Sequence, residues 1–228
     1  MSTSKTKKPL VAVLSGDIIR SRDLSQQERE KILSVIKESA RTLSSLTKPV
    51  LKISAFDVFR GDSFQVIVFR PQMAVSVSLM LRTLVKGTVQ KPLKALPDVR
   101  IAIGIGTVDS VPDNVSEGDG EAFQRSGLLL DRMKSDQKMA IATPKDELDK
   151  RWNAELGLLD AIVTNWTFQQ SEVIPHIMTG QTQQEIAEML NIEQSTIHRR
   201  LRAAEWPAAD RYLTYVAEDL KHSLNLPS

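Results

Sequence analysis

The sequence predicts an α+β protein in two parts, a sheet-and-helix part followed by an all-helical part. Up to Pro144, short apolar and β-branched runs alternate with segments whose apolar residues recur at helical spacing. After Pro144 no strand-like run occurs. The 228 residues include no cysteine and 41% of them are hydrophobic, so ordinary buried cores, and not disulfides, must hold the fold.

The elements of the first part follow from local patterns. Continuous apolar runs indicate buried strands, helical spacing indicates amphipathic helices, and Gly-Asp pairs end or join strands. Ser25 is placed as the N-cap of the first helix, before an acidic first turn. The predicted elements are strand 10–15 ended by Gly16-Asp17, helix 25–46, strands 50–60 and 63–69 joined at Gly61-Asp62, helix 72–86, strand 99–108, helix 121–134 and strand 139–143.

The order βαββαβ followed by αβ predicts a ferredoxin-like sheet. Short, right-handed connections place the first and third strands side by side and antiparallel at its centre. We therefore expect Asp17, at the end of the first strand, to lie next to Asp62, where the third strand begins.

The second part predicts helices at 156–168, 173–178, 183–190, 195–204 and 210–222. We place the domain boundary near residue 148, which gives a sheet domain at 1–148 and a helical domain at 149–228. Because no low-complexity linker separates them, we expect the two domains to pack against each other.

Residues 181–201 fit the template of a helix-turn-helix. Asn191 stands at the tight turn, where a positive φ is required and where Asn is the next best residue after Gly. The expected packing positions are Ile186, Ala187, Leu190, Ile192, Ile197 and Leu201. The side chains left pointing outward are Gln194, Ser195, His198, Arg199 and Arg202. These residue types suit base edges and phosphates, which predicts a DNA-binding surface.

This segment resembles region four of bacterial sigma factors, in which Gln-x-x-Ile-Ala-x-x-Leu-x-Ile-x-x-Ser-Thr-Ile introduces the recognition helix. A helical hairpin with a solvated basic face is the alternative. The charge balance stands against DNA binding, because residues 150–228 hold 7 basic and 10 acidic side chains, whereas residues 1–149 hold 23 and 18. We expect a modest, salt-sensitive affinity for DNA, raised if a homodimer presents two recognition helices.

Four segments of the first part carry a second resemblance: LSGDIIRSR at 14–22, FRGDSF at 59–64, RIAIGIGTV at 100–108 and EGDGEAFQ at 117–124. In this order they resemble the pattern of class III nucleotidyl cyclases and polymerase palm domains. Together with the C-terminal segment, nearly the whole chain resembles the SatD-like family of bacterial proteins.

The cyclase resemblance implies a metal and nucleotide site. Asp17 and Asp62 would hold two divalent ions, Mg²⁺ or Mn²⁺, and Ile18 would lend a backbone carbonyl. The backbone amides of Arg20 and Ser21 would lie where the phosphates of a nucleoside triphosphate are cradled.

Departures from the cyclase pattern leave catalysis undecided. Val58 stands where cyclases carry the lysine that selects adenine. The transition-state asparagine falls at Gln124, which we keep as the catalytic candidate, and the arginine falls at Leu128. Loss of that arginine removes charge stabilisation that can exceed ~10³ in rate.

Structural roles are also open for both aspartates, since Gly-Asp is a common hairpin turn and Asp17 fits a turn at a strand end.

Our preferred function is a DNA-binding transcription regulator with a nucleotide-binding N-terminal domain. The alternatives are a divergent nucleotidyl cyclase or oligonucleotide synthase recruited through its helix-turn-helix, and a non-catalytic scaffold. A signal peptide and an 18-residue apolar run are both absent, so we expect a cytoplasmic protein with no membrane partner.

Overall fold

The chain forms a mixed α+β fold. A computed structural model describes residues 8–46, 57–59, 62–90, 96–109 and 118–227. The strands are β1 Val11–Ile18, β2 Asp57–Phe59, β3 Ser63–Val68, β4 Val99–Gly106 and β5 Met139–Ala142. The helices are α1 Gln26–Leu46, α2 Ala74–Lys86, α3 Glu121–Arg132, α4 Asp146–Thr164, α5 Phe168–Met178, α6 Gln183–Leu190, α7 Gln194–Ala203 and α8 Trp206–Ser223. Within these residues no helix is long and apolar enough to cross a bilayer.

The five strands form one sheet in the order β2-β3-β1-β4-β5. β1 pairs antiparallel with both β3 and β4, which confirms the predicted pairing of the first and third strands, and β5 runs parallel to β4. Asp17 is paired with Ser63 in the β1–β3 ladder, and the Ile18 N–H donates to the carbonyl of Asp62 at 3.1 Å. The expected closeness of Asp17 and Asp62 is therefore confirmed.

The first strand does not end at Gly16-Asp17, as the sequence suggested, but continues to Ile18. Gly16 lies inside the strand, where a β-carbon would come within 2.4 Å of the Phe64 ring. This glycine thus makes room for a neighbouring aromatic side chain and does not break the strand. Gly61 and residues 50–56 of the predicted hairpin lie outside the described residues.

The two faces of the sheet are covered by different helices. Ala12 and Leu14 point to the face covered by α1 and α2, whereas the alternate residues Val11 and Val13 meet Phe123 of α3. The apolar core on the first face continues without a break into α4 to α8. The helical part therefore packs directly on the sheet part, while the domain boundary at 148 stays a prediction.

The helices after β5 differ from the prediction at their ends. α4 begins at Asp146, ten residues earlier than predicted, with an acidic first turn, and ends at Thr164. α5 begins at Phe168 because Thr167 caps it: the Thr167 side chain accepts from the Gln170 N–H, and the Gln170 side chain accepts from the Thr167 N–H. The helix predicted at 156–168 is confirmed over 156–164, but its predicted end, which runs across this cap, is wrong.

A buried ionic cluster joins the two parts. The guanidinium of Arg82, on α2, is fully buried and donates to both oxygens of Asp98 at 3.0 and 2.8 Å. It also donates to Asp160, on α4, at 2.6 Å. The second oxygen of Asp160 accepts from the backbone N–H groups of Lys138 and Met139, where β5 begins.

Candidate functional site

The first candidate site is the pair of helices α6 and α7. Thr182 caps α6 in a reciprocal box with Glu185, whose carboxylate accepts from the Thr182 N–H at 2.7 Å. That backbone hydrogen bond, followed by the one from the Thr182 hydroxyl, lowers the pKa of Glu185. Asn191 ends α6 at φ 53° and ψ 49°, the left-handed conformation that the sequence predicted for the turn.

The inner faces of these helices are apolar. Ile186, Ala187, Ile197 and Leu201 are buried, and Leu190 and Ile192 are half-buried against the same core. All six predicted packing positions therefore lie where expected. The packing fixes the rotation of α7, and with it the direction in which the opposite face of the helix points.

The outer face of α7 carries the predicted DNA-facing side chains. All of them are exposed, and none forms a side-chain hydrogen bond or ion pair with another part of the described chain. They are Gln194, Ser195, His198, Arg199 and Arg202. Arg200, the third arginine of α7, instead points back to the protein and pairs with Glu172 of α5 at 2.7 Å.

Exposed acidic residues lie on α6 and immediately before and after α7. Glu188 at the end of α6, Glu193 before α7 and Glu205 after it are all exposed. The free cationic surface of α7 is thus a narrow ridge carried by Arg199 and Arg202. This agrees with the negative charge balance of residues 150–228 and limits the electrostatic attraction that one chain can exert on a polyanion.

The second candidate site is the pair of aspartates at the edge of the sheet. Asp17 accepts two hydrogen bonds from Arg100, at 3.0 Å to Oδ1 and 2.5 Å to Oδ2. Asp62 accepts from the hydroxyl of Ser21 at 2.7 Å. The hydrogen bond from Arg100 to Asp17 raises the pKa of the guanidinium.

These contacts do not fit the two-metal site that the cyclase resemblance implies. Both oxygens of Asp17 face a guanidinium, whose positive charge would repel a divalent ion at the same place. Among the described residues, no group of three or more His, Cys, Asp or Glu side chains is arranged to hold a metal ion. Of the two aspartates, Asp17 is held in an ion pair with Arg100 and Asp62 is held by the hydroxyl of Ser21.

Of the other residues implied by the cyclase resemblance, Ile18 and Arg20 line one cleft together with Asp17, and Ser21 donates its hydroxyl to Asp62. Arg20 is exposed and has a positive φ of 53° at the start of a short 3₁₀ helix, Ser21–Asp23. Ile18 is buried in β1. Gln124 is exposed on α3 and has no side-chain hydrogen bond to either aspartate, and Leu128 on the same helix is 56% exposed.

A comparison with known protein families gives one match for this chain. The model of the SatD family matches residues 10–211, a span that holds the whole sheet and both helices of the helix-turn-helix. The chain belongs to the SatD family. The comparison with curated proteins gives no match.

Arg100 of this SatD-family protein has a partner that its sequence pattern did not predict. It begins one of the four segments named above, but its function depends on strand register, because β4 places it opposite Asp17. If the antiparallel pairing of β1 with β4 had been known, it would have placed Arg100 beside the carboxylate of Asp17. Nothing in the local pattern of residues 100–108 indicates the pairing.

Proposed function

We propose that this SatD-family protein is a DNA-binding transcription regulator that recognises duplex DNA with α7. One observation carries the proposal: five polar side chains of α7 are exposed and uncommitted on the face opposite its buried residues. A helix held in this way can enter the major groove of DNA, which is wide enough to admit it.

The chemistry of that face supports recognition of bases and phosphates together. Arg199 and Arg202 can each donate two hydrogen bonds to a guanine or pair with a phosphate. Gln194 can pair with an adenine, and Ser195 can hydrogen-bond to either purine or pyrimidine edges. With only two free arginines on the ridge, the proposal includes a second copy of the chain, which doubles the number of phosphate contacts.

For the N-terminal part we propose a ferredoxin-like domain of the palm type. The observed order of strands and helices supports it, with β1 between β3 and β4 and with helices leading from β1 to β2 and from β3 to β4. Binding of a nucleoside triphosphate with Mg²⁺ or Mn²⁺ at Asp17 and Asp62 is a separate proposal. The ion pair between Asp17 and Arg100 weighs against it, and against the cyclase alternative.

The test begins with selection of preferred duplexes from a randomised library by the full-length protein. Fluorescence anisotropy then measures the affinity of the wild type and of Arg199→Ala and Arg202→Ala for a selected duplex. We expect each variant to lose about 1–3 kcal/mol if the arginine contacts a base, or to lower the slope of log K against log salt by about 1 if it contacts a phosphate.

Arg132→Ala is the matched control, because Arg132 is an exposed arginine on α3 and forms no ion pair within the described chain. It should bind DNA like the wild type. If the double variant of Arg199 and Arg202 binds as tightly as the control, or if affinity does not change between 50 and 200 mM salt, a role for α7 in DNA binding is refuted.

A further inference from the structure

A cleft of about 1000 Å³ lies between the edge of the sheet and the helical part. Its walls come from the end of β1 and the turn after it, from Lys86 at the end of α2, and from the junction of α4 and α5 at 164–167. A volume of this size matches pockets that hold small molecules up to the size of a nucleotide. Asp17, Ile18 and Arg20, which the cyclase resemblance assigns to metal and phosphate, lie along one side of it.

Lys86 contributes a buried amine to the wall of the cleft. Its side chain is only 4% exposed, and burial lowers the pKa of its amine, an effect that nearby Asp98 opposes. The amine donates to the carbonyl of Thr164 at 3.2 Å and lies 3.9 Å from Asp98, which already accepts two hydrogen bonds from Arg82. Two of its three N–H donors have no hydrogen-bond acceptor among the described residues.

Other groups around the cleft also favour an anion. Arg20 lines it and forms no ion pair or side-chain hydrogen bond within the described part of the chain. The N-terminus of α5, an 11-residue helix, opens on the cleft at Thr167, so its dipole adds positive potential there. Five carboxylates also line the cleft. Asp17 and Asp98 are each held by an arginine, and Glu28 accepts from the backbone N–H and the hydroxyl of Ser25. Asp23 and Asp136 are the other two.

A hydrogen bond and an ion pair connect the wall of the cleft to α7, the proposed recognition helix. Trp166 lines the cleft, and its indole N–H donates at 2.8 Å to the carbonyl of Ala204, the C-cap residue that follows α7. Arg200 of α7 is paired with Glu172 of α5, whose first turn begins at the cleft. A displacement of residues 164–167 would therefore move the Trp166 indole, whose hydrogen bond to Ala204 holds the C-terminal end of α7.

We propose that this cleft is an effector site for a small anion carrying a phosphate or carboxylate group, bound by Lys86 and Arg20, and that occupancy is transmitted to α7 through Trp166. The regulatory half of this proposal depends on the DNA binding proposed above. The binding half stands on the cleft alone and is measured without DNA.

The binding half is tested by titrating the full-length protein with inorganic phosphate, a nucleoside monophosphate and succinate, each without metal. Calorimetry measures the dissociation constant, and the ¹H–¹⁵N indole signals of the three tryptophans show which one responds. We expect at least one probe to bind and to shift the Trp166 signal, assigned with Trp166→Phe, more than those of Trp152 and Trp206.

Two variants locate the site. Lys86→Met removes the amine while keeping most of the side-chain volume, and Arg20→Gly removes the guanidinium at a position where a positive φ suits glycine. Each should weaken binding at least tenfold. Lys31→Met, at an exposed lysine of α1, should leave it unchanged. If no probe binds, or if neither variant weakens binding, the cleft is not an anion site.

The coupling is tested by repeating the DNA titration with saturating probe. Wild-type affinity for DNA should change at least threefold, and Trp166→Phe should abolish the change while still binding the probe. Binding of the probe with no effect on DNA affinity would refute the coupling alone. A chain that binds the probe but no DNA would refute the proposed function and leave the cleft as an anion site.

Discussion

The buried ionic cluster predicts that Asp160→Ala destabilises the whole protein. The substitution removes the acceptor for one arm of a fully buried Arg82 guanidinium. It also leaves the backbone N–H groups of Lys138 and Met139 without their acceptor at the start of β5. Because Asp160 lies on α4 and Arg82 on α2, the substitution removes an ion pair at the junction of the helical part with the sheet part.

The expected size follows from those contacts. Removing one partner of a buried ion pair costs about 3–5 kcal/mol, because the remaining charge stays desolvated. Asp98 still faces Arg82, so the charge is not left wholly uncompensated, and we expect about 3 kcal/mol for Asp160→Ala. This is a large share of the ~5–15 kcal/mol that typically separates folded from unfolded states.

Guanidinium unfolding, followed by far-UV circular dichroism and by tryptophan fluorescence, measures the change in the free energy of unfolding. The control is Asp131→Ala, at an exposed carboxylate on α3 without a partner in the described chain, which should change stability by less than about 0.5 kcal/mol. A loss below about 1 kcal/mol for Asp160→Ala would show that the cluster does not hold the two parts together.

Three further predictions concern the two candidate sites. Asn191→Ala should destabilise the helix-turn-helix by about 1 kcal/mol, since alanine is strained at φ 53°, whereas Asn191→Gly should not; thermal unfolding compares the two, and equal melting temperatures would contradict the role of the turn. The lowered pKa of Glu185 means that the folded state gains stability above the ordinary glutamate pKa and loses it as the pH falls through the lowered value. The protection factor of the Thr182 amide, its exchange rate compared with that of an unfolded chain at the same pH, should therefore fall in acid, and Glu185→Gln should remove that fall; a wild-type protection factor that does not change with pH would refute it. Arg100→Met should raise the affinity for Mn²⁺, measured by electron paramagnetic resonance, because it frees Asp17 from its cation; unchanged affinity would mean that the ion pair is not what opposes a metal there.

The helix-turn-helix could be predicted closely because its determinants are local. The bounds 183–190 for α6 match those of the structure, and the predicted 195–204 for α7 differs by one residue at each end. The turn at Asn191 and the inner and outer faces of α7 follow from spacing within about twenty residues. The cap at Thr167 was also present in the sequence, as Thr-x-x-Gln, but helical periodicity alone ran across it.

The aspartate site shows the limit of the same reasoning. Topology correctly placed Asp17 beside Asp62, because short connections allow few arrangements of a βαββαβ chain. It did not predict that Arg100, 83 residues from Asp17, lies opposite it in the next ladder. The carboxylate of Asp17 could either bind a metal ion or pair with a cation. Which of the two it does depends on the residue that β4 places opposite it, and that residue is Arg100.

The sequence by itself determined the class of fold, the strand pairing at the centre of the sheet and the polar face of α7, because each depends on periodicity or on chain connectivity. The tertiary structure alone decided which charges are free. It buried Arg82 against Asp160, paired Arg200 with Glu172, and left Arg199 and Arg202 exposed. Pairing of charges depends on distances between elements far apart in the chain, and no local pattern of residues encodes those distances.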